Sequence, residues 1–190
     1  QDVPVHVGST LPAHVSMDEA MSAQFNSPFE ELGLLRELRR GQFGPPKLRI
    51  RTKRPLAIYC PPRSGRLWQL GRSRSRFENY RRIHQRDQDE AGSPVDLHLD
   101  RLYIVLFAWV RGLNAEQMHT TGALGEDELH ALTRRVNGEL LAKGFRVIDN
   151  KPKHFILRQG RDGRLLRRRG ELVYGLVDFE LLQRTREYVN

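Results

Sequence analysis

One cysteine, Cys60, stands in the 190 residues, so no disulfide can close within the chain. A single thiol also excludes a cysteine-built metal cluster, and neither H-E-x-x-H nor C-x-x-C occurs, which removes the common zinc motifs. Cysteine usage of this kind suits a reducing compartment, and a cytoplasmic location is the expectation. Long hydrophobic runs are missing too. The longest, Leu102 to Val110, is far too short to cross a bilayer, and no charged-then-apolar secretory leader opens the chain. No Met stands at position 1 and no Lys precedes Lys47; the expectation is a chain that begins part-way through a longer protein, or after processing.

What is present suits a soluble globular protein. Apolar residues make up 38% and charged residues 29%, enough for one good core, or one core and a smaller lobe, and unlike a disordered chain. A net charge of +9 and a pI near 10.3 attract anions. Only Lys47, Lys53, Lys143, Lys151 and Lys153 are lysines; the other basic residues are arginines. Such an excess suits phosphate or nucleic-acid contact. It suits equally a genome that favours arginine codons.

Local signals give the order of elements. The alternation Val3-Pro4-Val5-His6-Val7 reads as an edge strand. Ser27, Pro28 and Glu30 form a helix start with a capping box, Phe29, Leu32, Leu35 and Leu38 supply an apolar face, and Arg39-Arg40-Gly41 closes it. Residues 47–60 read as strand, turn, strand, and 75–90 as a helix with Phe77, Tyr80, Ile83 and His84 on one face. "RLYIVLFAWVRG" (101–112) reads as a buried strand. Asn114 caps a short helical turn, and a long helix runs from Glu126 to Lys143 with Leu129, Leu132, Val136, Leu140 and Leu141 inward, ended by Gly144. "FRVI" and "HFILR" follow as strands around a polar turn. "QGRDGRLLRRRGE" is a hairpin loop with an Asp162-Gly163 turn, and "LVYGLVDFELL" a returning strand.

Two polar points interrupt this order, "DNKPKH" (149–154) and "VDFEL" (177–181). Together with the element order they resemble the protein-kinase-like fold, whose catalytic loop runs Asp-x-Lys-Pro-x-Asn and is followed by an apolar strand and Asp-Phe-Gly. Asp149, Lys151 and Pro152 match in place, His154 stands where the family has Asn, and Glu180 stands where it has Gly after Asp178-Phe179. The resemblance implies an α+β fold with a partial small lobe (1–100, with a basic insertion at 60–100) and the start of the helical large lobe (101–190). It implies ATP with Mg²⁺ or Mn²⁺ as cofactors, and a small-molecule or protein acceptor. Asp149 would orient or deprotonate the acceptor hydroxyl, Lys151 would steady the phosphoryl group, and Asp178, with His154 and Glu180, would hold the metal. Trp109 to Gly112, including Val110 and Arg111, would be the hinge that grips adenine, and Glu30 or Glu31 would pair with the phosphate-holding lysine. That lysine is missing ahead of the helix, as are the glycine-rich loop, the His-Arg before the catalytic Asp and the later Ala-Pro-Glu.

Each residue has a plainer role open to it. Asp149 can cap a turn, Lys151 can be a surface lysine, His154 a satisfied structural histidine and Glu180 an outward strand carboxylate. Asp178 interrupts an apolar run, where a carboxylate must be paired, hydrated or on metal. At the level of the whole chain, the alternative to catalysis is an inactive pseudokinase or interaction module. A third possibility is a basic nucleic-acid binder, in which "RSGRLWQLGRSRSRFENYRRIHQR" (63–86) interleaves Arg72, Arg74 and Arg76 with Trp68, Phe77 and Tyr80. Arg164, Arg167, Arg168 and Arg169 at the hairpin tip form a second basic patch.

Overall fold

A computed structural model describes residues 15, 16, 18, 23, 25–63, 65, 66, 98 and 100–189. The edge strand expected at 3–7 and the helix expected at 75–90, with Trp68 and the arginines at 72, 74 and 76, lie outside the described residues. The chain divides into two compact units, one of residues 1–56 with 107–190 and one of residues 57–106. The larger is α+β, built from antiparallel strand pairs and helices.

Helix α1, Pro28–Arg40, starts as its sequence dictates. Ser27 Oγ accepts from the Glu30 N–H at 3.2 Å and Glu30 Oε2 accepts from the Ser27 N–H at 2.7 Å, a reciprocal cap that satisfies two free donors. Gly41, at φ +64°, closes the helix. Its buried face is Glu31, Leu34, Leu35 and Leu38, the i, i+3, i+4, i+7 spacing of one helical stripe. That stripe is turned from the expected one: Phe29 and Leu32 are only half-buried, and Leu34 takes their place.

Strands β1 (Arg54–Tyr59) and β2 (Ile104–Ala108) pair as a two-stranded sheet, and the division between the units passes through both. The buried strand expected over 101–112 is thus a shorter one with an open face, since Leu102, Ile104 and Leu106 are exposed. Two strands alone cannot cover both faces of an apolar run. Of residues 47–60 only β1 is a strand; Thr52 makes a lone parallel bridge to Leu176. In the smaller unit, Arg101 Nη1 donates to the Pro62 carbonyl at 3.0 Å, and the Gly65 N–H donates to Asp100 O at 2.7 Å.

In the larger unit β3 (Leu113–Asn114), β5 (Phe155–Leu157) and β8 (Tyr174–Leu176) form an antiparallel sheet in the order β3-β5-β8. Asn114 Oδ1 accepts from the Gln117 N–H at 2.8 Å and caps α2, Ala115–Thr120. Helix α3, Glu126–Ala142, buries Leu129, Leu132, Val136 and Leu140 as its spacing requires, whereas Leu141 points outward. β4 (Phe145–Val147) pairs with β9 (Leu182–Arg184), and the short helix α4, Arg186–Val189, follows. The hairpin loop adds the two-residue strands β6 (Arg167–Arg168) and β7 (Glu171–Leu172), turned by Arg169-Gly170. The returning strand expected over 172–182 is broken: β8 ends at Leu176, β9 begins at Leu182 in another sheet, and 177–181 is an acidic turn between them. Phe179, fully buried in the same core cluster as Leu35, Leu176 and Leu182, pins that turn.

Lys143, 2% exposed, is buried at the end of α3. Its ammonium donates to three carbonyls, Gly41 O at 3.1 Å, Phe43 O at 2.7 Å and Pro45 O at 2.9 Å, which matches its three N–H bonds. Burial and the nearby Arg49 lower its pKa, while the three acceptors hold the loop after α1 to the end of α3.

Candidate functional site

The polar turn after β4 and the acidic turn after β8 meet because β5 and β8 are sheet neighbours. The Val177 N–H donates to His154 O at 3.1 Å, and the His154 N–H to Lys151 O at 2.9 Å. Pro152 starts a single 3₁₀ turn over Pro152–His154, which carries the His154 ring inward. Its Nε2 lies 3.2 Å from Asp178 Oδ2. Burial lowers the histidine's pKa, Asp178 opposes this, and the net direction is down; neutral pH therefore favours the uncharged ring beside the carboxylate. Nδ1 is buried with no hydrogen-bond partner. Across the turn Lys151 Nζ contacts Asp149 Oδ2 in a close ion pair. Asn150, between them, is buried and donates to Asn137 Oδ1 at 2.6 Å, fixing the backbone from which both project.

The acidic turn is held from the other end of the chain. Asn26 Nδ2 donates to Phe179 O at 3.2 Å and Leu182 O at 2.8 Å, and the Asn26 N–H donates to Glu180 O at 2.7 Å. Asp178 Oδ1 accepts from the Glu180 N–H at 3.3 Å.

A lysine also enters. Lys53 Nζ lies 2.9 Å from Glu31 Oε1, 3.7 Å from the centroid of the Phe107 ring and 5.6 Å from that of Phe179. The ammonium is within ion-pair range of Oε1 but off its hydrogen-bonding directions, so that buried oxygen has no aligned donor. The attraction is chiefly charge on charge, with the ring faces adding to it. Glu180 feels the same field: its carboxyl pKa is raised by burial, then by Asp178 and Glu31, with Lys53 opposing. Glu180 thus lies in the field of two other carboxylates, Asp178 and Glu31, and of the Lys53 ammonium.

The sign of that shift makes a prediction. A carboxyl raised above its ordinary 4.5 weakens the fold as pH climbs through its folded-state value and costs nothing where both states are protonated. Glu180→Gln is expected to raise the unfolding temperature by a few degrees at neutral pH and by much less near pH 4, in thermal melts without divalent metal. An equal gain at both pH values would mean that charge is not the cause.

Beside these groups lies a cavity of about 490 Å³, with Lys53, Phe107, Trp109, Val110, Ile156 and Val177 among its walls. Trp109 and Val110, read from the sequence as part of a hinge, line this cavity. Arg111 lines a neighbouring groove instead, Glu30 is engaged in the cap of α1, and Glu31 holds Lys53. Sequence inspection missed Lys53, Phe107, Ile156 and Val177. A lysine sought ahead of the helix could not be found, because the one that meets Glu31 follows it.

Among the described residues no three His, Cys, Asp or Glu side chains converge as a metal cage. Mg²⁺ is more often held by one or two carboxylates with substrate phosphates and waters. The hard oxygens of Asp178 and of the repelled Glu180 fit that kind of site. His154 Nε2 is committed to Asp178, which makes the histidine a support for that carboxylate.

Comparison with protein-family models, curated proteins and solved structures found no match. Among the described residues no helix is long and apolar enough to cross a membrane.

Proposed function

We propose that the chain is an atypical kinase-like phosphotransferase that binds ATP with Mg²⁺ or Mn²⁺ and phosphorylates a hydroxyl on a small molecule or protein. The observation that carries this is Lys53, clamped by Glu31 at the wall of an apolar cavity that reaches Val177, one residue from Asp178. Phosphoryl transfer asks mainly for positioning and for charge around the phosphates. Trp109, Val110 and Ile156 would enclose the base, and Lys53 would meet the phosphates. Asp178 and Glu180 would hold the metal, which when bound neutralises phosphate charge. Asp149 would accept the acceptor's proton as its oxygen bonds to the γ-phosphorus and the bond from that phosphorus to the β–γ bridging oxygen breaks, leaving ADP. Lys151, already on Asp149, would offset the charge there.

An inactive module is the second reading. It is favoured by the same Lys151–Asp149 pair, which occupies the would-be base, and by His154 on Asp178.

Thermal unfolding with and without ATP and Mg²⁺ or Mn²⁺, beside Asp178→Asn, tests the nucleotide site. A ligand at a hundred times its Kd stabilises by about 2.7 kcal/mol, a rise of roughly 5 °C or more for a chain of this size. The rise is expected to need metal and to vanish in the variant. No shift at millimolar nucleotide would refute the nucleotide site. A shift without transfer of γ-phosphate to any hydroxyl acceptor would favour the inactive module.

A further inference from the structure

Sharing Ala108, Trp109, Val110 and Ile156 with the apolar cavity is a second concavity of about 340 Å³. Its lining holds five arginines, Arg39, Arg51, Arg54, Arg111 and Arg158, and no aspartate or glutamate. None of the five is in an ion pair with a carboxylate among the described residues. Arg39 is fixed: its Nη1 donates to Thr52 O at 3.1 Å and Thr52 Oγ1 at 2.9 Å. Elsewhere in the same unit arginines do find acids, as Arg184 finds Glu37 at 2.6 Å, so the lack of counter-charge belongs to this groove. Gathered like charges repel, and the fold carries that cost until an anion relieves it.

The second observation is Trp109. The residue lines the groove and is 86% exposed, although an indole of that size is ordinarily covered. Guanidiniums that grip phosphates in a plane, beside an open aromatic face, are the two components of a single-strand nucleic-acid site, the cations tracking the backbone and the ring stacking a base. A phosphorylated peptide would use the arginines and leave the indole idle. We infer that this groove binds single-stranded nucleic acid, with the five arginines on phosphates and Trp109 under a base. This goes beyond phosphotransfer and does not depend on it. The groove's lining also lies outside 63–86, the arginine- and aromatic-containing stretch that the sequence offered for nucleic acid.

The test is fluorescence anisotropy with a labelled single-stranded RNA of about 12 nucleotides and mixed sequence. Five phosphate contacts give a slope of log K on log salt of about −3.5, which is about a hundredfold loss between roughly 50 and 200 mM. Arg51→Glu with Arg158→Glu is expected to lose a hundredfold or more, and the milder Arg51→Gln with Arg158→Gln about tenfold, should the reversal impair folding. Arg134→Glu with Arg161→Glu, which changes net charge equally away from the groove, should lose little. Trp109→Ala should lose about tenfold, the value of one stacked base, and Trp109→Phe should keep most of the affinity. Equal losses in the groove and control pairs would overturn the inference, because any basic surface would then do. So would unchanged binding by Trp109→Ala, or a phosphoserine peptide of matched charge that binds as tightly as the RNA.

Discussion

Lys53→Met is expected to abolish the stabilisation by ATP and also to lower the unfolding temperature, and a double variant separates the two losses. Glu31 is 7% exposed, and Lys53 lies 2.9 Å from it. Removing one member of a buried pair leaves an uncompensated charge, which costs about 3–5 kcal/mol. Adding Glu31→Gln removes that charge, so Lys53→Met with Glu31→Gln should recover most of the lost stability. It should not recover nucleotide binding. A charge-assisted contact to phosphate contributes about 1.5–3 kcal/mol, or roughly ten- to a hundredfold in affinity. The readout is the melting temperature of wild type, single and double variants across an ATP series with metal. If the double variant responds to ATP as the wild type does, Lys53 is a structural lysine and the proposed phosphate contact is lost.

The second large effect is expected at a glycine. Gly44 sits at φ +67°, and a Cβ there would lie 1.8 Å from the Ala142 carbonyl oxygen. That neighbour is backbone at the end of α3 and cannot swing away. Gly44→Ala therefore adds about 1–2 kcal/mol of left-handed backbone strain to about 1–3 kcal/mol of overpacking. If the loop moves instead, Lys143 loses carbonyl partners at Phe43 and Pro45, which leaves an ammonium buried and poorly satisfied. A loss of about 5 kcal/mol would approach the whole stability of many domains. Gly163→Ala is the control, because Gly163 has φ +75° with nothing near its would-be Cβ. It should cost only the backbone strain. Denaturant midpoints compare them, and similar values would show that the close approach to α3 is not rigid.

Both predictions rest on features that sequence inspection could not supply, and the reason is physical. The capping box of α1, the Asn114 cap of α2 and the inward face of α3 are local, with partners three or four residues apart, and all appear as expected apart from Leu141 of α3, which points outward. The His154–Asp178 contact could be anticipated from the motif order, since a strand pair brings the two turns together. The Glu31–Lys53 pair could not, because spatial order reverses chain order there. Nor could the exposure of β2, since an apolar run is buried only if something packs on each face. The break between β8 and β9 escaped notice for a similar reason: "LVYGLVDFELL" is apolar on both sides of Asp178 and Glu180, and only the pairing of its two ends in different sheets shows that the chain changes sheets there. The arginine groove draws its members from α1, the segment after it, the start of β1, the stretch after β2 and the residue that follows β5. Scattered along the sequence, they looked like general composition.

Asn26 sets a further condition on how the acidic turn comes into being. Its side chain reaches Phe179 and Leu182 across 153 and 156 residues, and Arg184 meets Glu37 across 147. Helix α3 and the 3₁₀ turn can form from neighbours in sequence, whereas β4 waits for its partner β9. The turn that carries Asp178 cannot be fixed until the two ends of the unit meet, and closing so long a loop is slow because its entropy is lost before the contacts return anything. On the ribosome, a nascent chain that has not yet released residues 179–184 would hold its central helices and lack the turn that completes the cleft. The chemistry attributed to this protein would therefore be absent from its folding intermediates and would begin only with the last long-range contact.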